Sequence, residues 1–197
     1  MPPEYSNNTA DEYNASPLIN KDLNIQPNTG HNQTDILQKL AIPLSDRTDL
    51  IVNFQFATSS NIQRFDKLNE YSGEDLKFAE WYYGPQKRTL ISTQLKIAPE
   101  KKWIKNGTIT AAYQNLQESR IQRQFSSFDR LYRQEAVDVL SLNGDFFVPF
   151  TKDNKRIFSY GFELTHNKVI SKANGKTIEI HNNEIVGFSD EFKLQSR

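Results

Sequence analysis

Cysteine is absent from the 197 residues, and no segment approaches the roughly 20 apolar residues that a transmembrane helix requires. The first absence excludes a disulfide framework and a thiolate metal site. The second leaves strands as the only means by which this chain could cross a bilayer. Charge of one sign is also missing. Lys plus Arg and Asp plus Glu both number 24, so net charge argues neither for nucleic acid nor for a polybasic membrane anchor. The chain has neither a Gly-x-Ser-x-Gly elbow nor a glycine-rich phosphate loop, and no enzyme activity is expected. The three histidines, His31, His166 and His181, are not spaced as metal ligands, so no metal or cofactor is expected either.

Aromatics, by contrast, are plentiful: 13 Phe, 8 Tyr and 2 Trp in a chain that is only 37% hydrophobic. With a mean hydropathy of -0.69, this is too aromatic for a disordered chain and polar for a globule of its length. Such a balance suits β-structure with one wet face.

Period-two alternation supports that reading. In Thr89–Ile97, Ile91, Leu95 and Ile97 share a side with Thr93, opposite Ser92, Gln94 and Lys96. After the turn around Pro99, Ile109, Ala111 and Tyr113 resume the pattern. Upstream, Leu50, Val52, Phe54 and Phe56 alternate with Asn53, Gln55 and Ala57. Downstream, Leu140, Leu142, Phe146, Val148 and Phe150 alternate with Ser141, Asn143 and Asp145. Phe158, Tyr160, Phe162 and Leu164 alternate with Ser159, Gly161, Glu163 and Thr165. Residues 31–44 alternate less regularly and also fit helical spacing, but Pro43 and the following strand favour β. Residues 1–30, rich in Asn, Pro, Ser, Thr and Asp, read as an irregular loop. The pair Asn182-Asn183 fits the turn of a small hairpin.

The connections sort by length. Turns at 45–49, 98–107 and 151–155 are short; those at 60–85, 120–136 and 168–190 read as long loops. In an antiparallel meander, all short turns then fall at one end and all long ones at the other. Transmembrane β-barrels have this asymmetry, with apolar residues facing lipid and polar residues facing the lumen. Trp103, in a short turn, is the membrane-interface candidate. The expected lipid-facing set is Leu50, Val52, Phe54, Phe56, Ile91, Leu95, Ile109, Tyr113, Leu142, Phe146, Phe158, Tyr160 and Phe162. A soluble β-sandwich that binds carbohydrate or another ligand is the alternative, since its strands alternate too.

Several segments, namely NTGHNQTDILQKL (28–40), NFQFATSSNIQRFDKL (53–68), LKFAEWYYGPQKR (76–88), YQNLQESRIQRQF (113–125) and SYGFELTHNKVISKANG (159–175), resemble the barrel of TonB-dependent outer-membrane receptors of the Bacteroidetes type. The resemblance implies an all-β antiparallel meander of about six to eight strands within a transmembrane β-barrel of about 22 strands. It implies residence in the cell outer membrane, contact with outer-membrane lipid, and no nucleic-acid partner. Members carry out energised uptake of a scarce extracellular ligand, such as an iron-siderophore or haem, driven by the TonB energising complex through an N-terminal plug. Residues 1–30 are then an extracellular loop segment and 31–197 a partial barrel. With neither a signal sequence nor a plug in the chain, the expectation is an internal piece that is not transport-competent by itself.

The ligand-contact candidates lie beyond the apolar stretches. Trp81, Tyr82 and Tyr83 could stack on an aromatic or sugar ligand, or pack an outer hairpin and pin its register. Arg120 and Arg123 could attract an anionic chelate, or belong with Arg130, Arg133, Glu118, Asp129 and Glu135 to a solvated loop of mixed charge. His181 is the histidine placed for a loop ligand.

Overall fold

A computed structural model describes residues 4–99, 101, 103–149 and 156–194. Phe150 and the turn at 151–155 lie outside the described residues. In chain order the elements are β1 (Glu4–Tyr5), β2 (Leu18–Ile19), β3 (Gln33–Ser45), β4 (Thr48–Ser59), β5 (Ile62–Gln63), the helical turn α1 (Phe65–Leu68), β6 (Tyr71–Ser72), β7 (Asp75–Leu76), β8 (Phe78–Tyr83), β9 (Lys87–Ile97), β10 (Asn106–Gln124), β11 (Asp129–Pro149), β12 (Ile157–His181) and β13 (Glu184–Lys193).

The long strands form one antiparallel sheet in the order β13-β12-β11-β10-β9-β4-β3, each pairing with its neighbour in the chain. The fold is all-β and antiparallel, as the alternation predicts. The sheet is open among the described residues: β3 and β13 are its outer strands, no barrel closes on them, and the outer side of β13 meets the N-terminal segment through a bridge between Glu184 and Glu12. Segment 33–45 is a strand rather than a helix. Pro43 is tolerated because β3 is an edge strand and its register shifts between Pro43 and Ser45.

The register puts every expected lipid-facing residue on one face, because directly opposed residues in an antiparallel ladder point the same way. One cross-strand row reads Ile42, Leu50, Leu95, Ile109, Gly144, Phe162. The next reads Leu40, Val52, Thr93, Ala111, Leu142, Leu164, and the one beyond it Gln38, Phe54, Ile91, Tyr113, Leu140, His166. Residues of the other parity, such as Lys39, Asn53, Ser92, Ala112, Ser141 and Thr165, form the polar face.

Among the described residues nothing covers the apolar face in this band. The interlocked second sheet that a β-sandwich requires is absent among the described residues. Phe162 and Leu164 remain 45% and 62% exposed.

The expected long loops at 120–136 and 168–190 are not loops. The β10–β11 ladder runs to Gln122↔Leu131, and the β11–β12 ladder to Asp129↔Thr177. Asn182 and Asn183, at φ 50° and 64°, close β12 onto β13 as a tight hairpin. Backbone pairing carries these strands past the point where their apolar alternation fades. Only the 60–86 connection is long, and it folds into β5, α1 and β6–β8. Residues 4–30 are mostly irregular apart from the β1–β2 ladder.

Candidate functional site: the distal end of the sheet

Opposite the short turns, β9 ends at Lys87 and β8 takes its place against β10, pairing Tyr82 with Ile121 and Glu80 with Arg123. Here the sheet acquires a core. On one side Leu68 of α1 packs with Phe78 and Trp81, and Tyr83 closes over them, its ring edge-on to Trp81 at 5.2 Å. The guanidinium of Arg64 lies 5.0 Å from the Trp81 ring centre, and that of Arg120 5.9 Å. Trp81 and Tyr82 are thus buried, and the Trp81 ring is engaged by side chains of its own chain.

The Glu80 carboxylate is fully buried and held from two strands. Arg123 donates from Nε to Oε1 at 2.6 Å, and Arg130 from Nε to Oε2 at 2.7 Å. Their remaining donors reach the N-terminal segment and the β10–β11 turn. Arg123 Nη2 donates to Asn8 Oδ1 at 2.9 Å and Nη1 to the Ser127 carbonyl at 3.1 Å. Arg130 Nη2 donates to the Ala10 carbonyl at 2.9 Å. Burial opposes the Arg130 charge, yet Glu80 outweighs it and raises the pKa further above the ordinary arginine value. Burial likewise pushes the Tyr82 phenol upward.

Residues 5–13 thereby form a strap across this end of the sheet. Ser6 donates to the Ala79 carbonyl, and its backbone N–H to Leu68 O at 2.9 Å. Asn8 donates through Nδ2 to Ser6 Oγ and to the Asn14 carbonyl, each at 3.0 Å. At the far side, the Ile185 N–H donates to Asp11 O at 2.8 Å, and the Tyr13 N–H to Asn183 O at 2.8 Å. The guanidinium of Arg123 also stands 5.1 Å from the Tyr13 ring.

The sequence candidates therefore separate. Arg123 is 1% exposed, with its donors spent on Glu80, Asn8 and Ser127. Together with Trp81 and Tyr82 it builds the distal core. The solvated-loop reading of the arginines is corrected: Arg123 and Arg130 are buried in paired strands. Arg120 falls on the polar face opposite Arg133, one row beyond Glu118 opposite Glu135. Each like-charged pair is unfavourable alone, but the two rows stack acids beside arginines. His181 is exposed at the tip of the β12–β13 hairpin, away from Arg120. Glu80, Asn8 and Ser6 were not singled out from sequence. Their available signal was a carboxylate in the otherwise apolar run FAEWYY, which demands a buried cationic partner.

Below the acid–arginine rows, the polar face holds a hollow of about 470 Å³ lined by Asp35, Ala57, Arg88, Leu116, Glu118, Glu135 and Val137. No group of acids and histidines able to hold a metal ion occurs among the described residues. Compared with protein-family models, curated proteins and solved structures, the chain matches none of them.

Proposed function

We propose that the chain is a sector of the wall of a TonB-dependent outer-membrane receptor for energised uptake of a scarce ligand such as an iron chelate or haem. The observation that carries this reading is the uncovered apolar face. On β11 it runs from Leu140 to Val148, nine residues and about 26 Å along the strand. Tilted by about 40°, that spans about 20 Å, close to the roughly 25 Å band of an outer-membrane barrel. Aromatic and polar side chains bound it at both margins. Trp103 and Tyr160 lie at the short-turn margin, while Tyr113 bonds to Asp138 at 2.7 Å at the other. Beside the band the outer strands are β3 and β12, since β13 pairs only with Asn174–His181, and these two edges are where further strands of a wall would pair.

In this reading the apolar face meets outer-membrane lipid and the polar face lines the lumen. The distal end stands outside the cell, where Arg120 and the acid–arginine rows border the ligand path. Coupling to the TonB complex belongs to a plug carried elsewhere in the receptor. The test is outer-membrane assembly of the full-length protein, read by heat-dependent gel mobility. Arg at Phe54, Leu95 and Phe162 together is expected to abolish assembly, whereas Arg at Asn53, Gln94 and Glu163 on the opposite face leaves it intact. Equal tolerance of both sets would overturn the reading.

A further inference from the structure

The strap across the distal end is held unequally along its length. Its near end is an anchor: Ser6 and Asn8 are 0% and 2% exposed, and Arg123 and Arg130 bind Asn8 and the Ala10 carbonyl. Its far end meets the β12–β13 hairpin through two backbone bonds, Ile185 N–H to Asp11 O and Tyr13 N–H to Asn183 O, each 2.8 Å. These bonds flank the bridge between Glu12 and Glu184. That makes Glu12 and Glu184 a non-hydrogen-bonded pair, the kind in which opposed side chains stand closest.

Glu184 in turn lies directly opposite His181, so His181, Glu184 and Glu12 form one cross-strand row, all three exposed. Two carboxylates opposed in a close pair repel. Among the described residues no cation lies within ion-pair distance of either. The other charges around the row do not relieve them. Glu179, two residues along β12 on the same side, adds a third carboxylate and lies over Gly187. Asp129 of β11 accepts from Thr177 at 2.7 Å, and Asp11, next along the strap, lies near Tyr82. Arg123 and Arg130 are spent on Glu80. His181 is the member of the row that can turn positive, and imidazole is the side chain that commonly takes up a proton between about pH 5 and 8.

We propose that this row is a proton-operated latch on the strap. With His181 neutral, Glu12 and Glu184 push the far end of the strap away from β13. With His181 protonated, its charge offsets that of Glu184, the repulsion on Glu12 falls, and residues 9–13 close on the hairpin. The near end stays in place in either state, because Glu80 and its two arginines hold it. The inference goes beyond the membrane-wall reading and does not rest on it.

The test is hydrogen exchange of the full-length protein at low ionic strength, corrected for intrinsic rate and resolved to the Ile185 and Tyr13 amides that cross the latch. From about pH 7.5 to about pH 5.5 their protection is expected to rise about two- to fivefold, while that of the Ser6 amide at the anchor stays constant. Added salt should flatten the rise, because the charges are exposed. His181→Gln should hold the low protection at both pH values, and Glu12→Gln the high protection at both. Both substitutions fall on exposed side chains, and an unaltered Ser6 amide checks that the fold survives them. Four results would overturn the latch: a wild type without the rise, a rise that survives His181→Gln, a Glu12→Gln variant as open as the wild type at about pH 7.5, or a Ser6 amide that changes in step with the other two. None of them depends on whether the protein enters the outer membrane.

Discussion

The Tyr160 phenol donates a hydrogen bond to the Trp103 carbonyl at 2.7 Å. Fifty-seven residues separate them, yet both lie at the short-turn margin of the apolar band. The Tyr160 ring also stacks on Phe146 and Phe158, at centroid distances of 5.3 and 5.8 Å. The hydroxyl thus faces a turn carbonyl while the ring joins the band, which is the division of labour a tyrosine performs at an interface. Tyr160→Phe keeps the stacking and removes the bond. It should cost about 0.5–1.5 kcal/mol in denaturant unfolding of the full-length protein and loosen the turn around Trp103.

Depth within the band should grade the cost of a charge. Leu142 lies in a middle row and Phe56 at the distal margin. Arg at Leu142 is expected to cost about 2–4 kcal/mol and Arg at Phe56 about 0–1 kcal/mol, measured by refolding into bilayers. Equal costs would contradict a hydrocarbon-facing band.

Two glycines should differ in their tolerance of a methyl group. A Cβ on Gly144 would meet the Phe162 ring at 2.5 Å, and that ring can swing outward. On Gly161 it would meet the Gly144 carbonyl oxygen at 2.3 Å, which moves only if the strands part. Gly161→Ala is therefore the more damaging change, by about 1–3 kcal/mol in unfolding free energy.

The strap depends on Glu80. Glu80→Ala leaves Arg123 and Arg130 buried without their anion and should destabilise the distal end by about 3–5 kcal/mol. Limited proteolysis should then cut within residues 5–13 while the paired strands stay resistant.

Acid should loosen the α1–β7 excursion. The Arg64 hydrogen bond holds the Asp66 carboxyl below its usual range, and those from Lys67 and Lys77 do the same for Glu70. A depressed carboxylate contributes stability above its unfolded pKa and loses it as pH falls through the folded value. Protection of segment 65–77, measured by hydrogen exchange and corrected for intrinsic rate, should hold at neutral pH and decline on acidification below the ordinary carboxylate range. Solvent screening keeps the effect modest.

Much of the central sheet was legible because period two is a local property. Once Phe54, Leu95 and Phe162 are known to alternate with polar neighbours, each strand's two faces follow, and short turns fix the antiparallel order. The distal end was not legible in this way. In RIQRQFSSFDRLYRQE both faces are either wetted or covered by protein, so alternation disappears while hydrogen bonding continues. The N-terminal segment was opaque for a related reason. Asn8 and Ser6 have a role only because Arg123 lies 115 residues away from Asn8 in the chain and within 2.9 Å of its side chain.

By itself, the order of residues determined that this chain is antiparallel β, which side chains share the oily face, and where the hairpins at 45–48 and 182–183 turn. Those choices depend on steric and hydropathic preferences acting over a few neighbours. Tertiary structure alone decided that the oily face stays uncovered, that Glu80 unites two arginines beneath a strap, and that Glu12 joins His181 and Glu184 in one row. Each of these depends on strand register across many residues, which sets distances that local preference cannot.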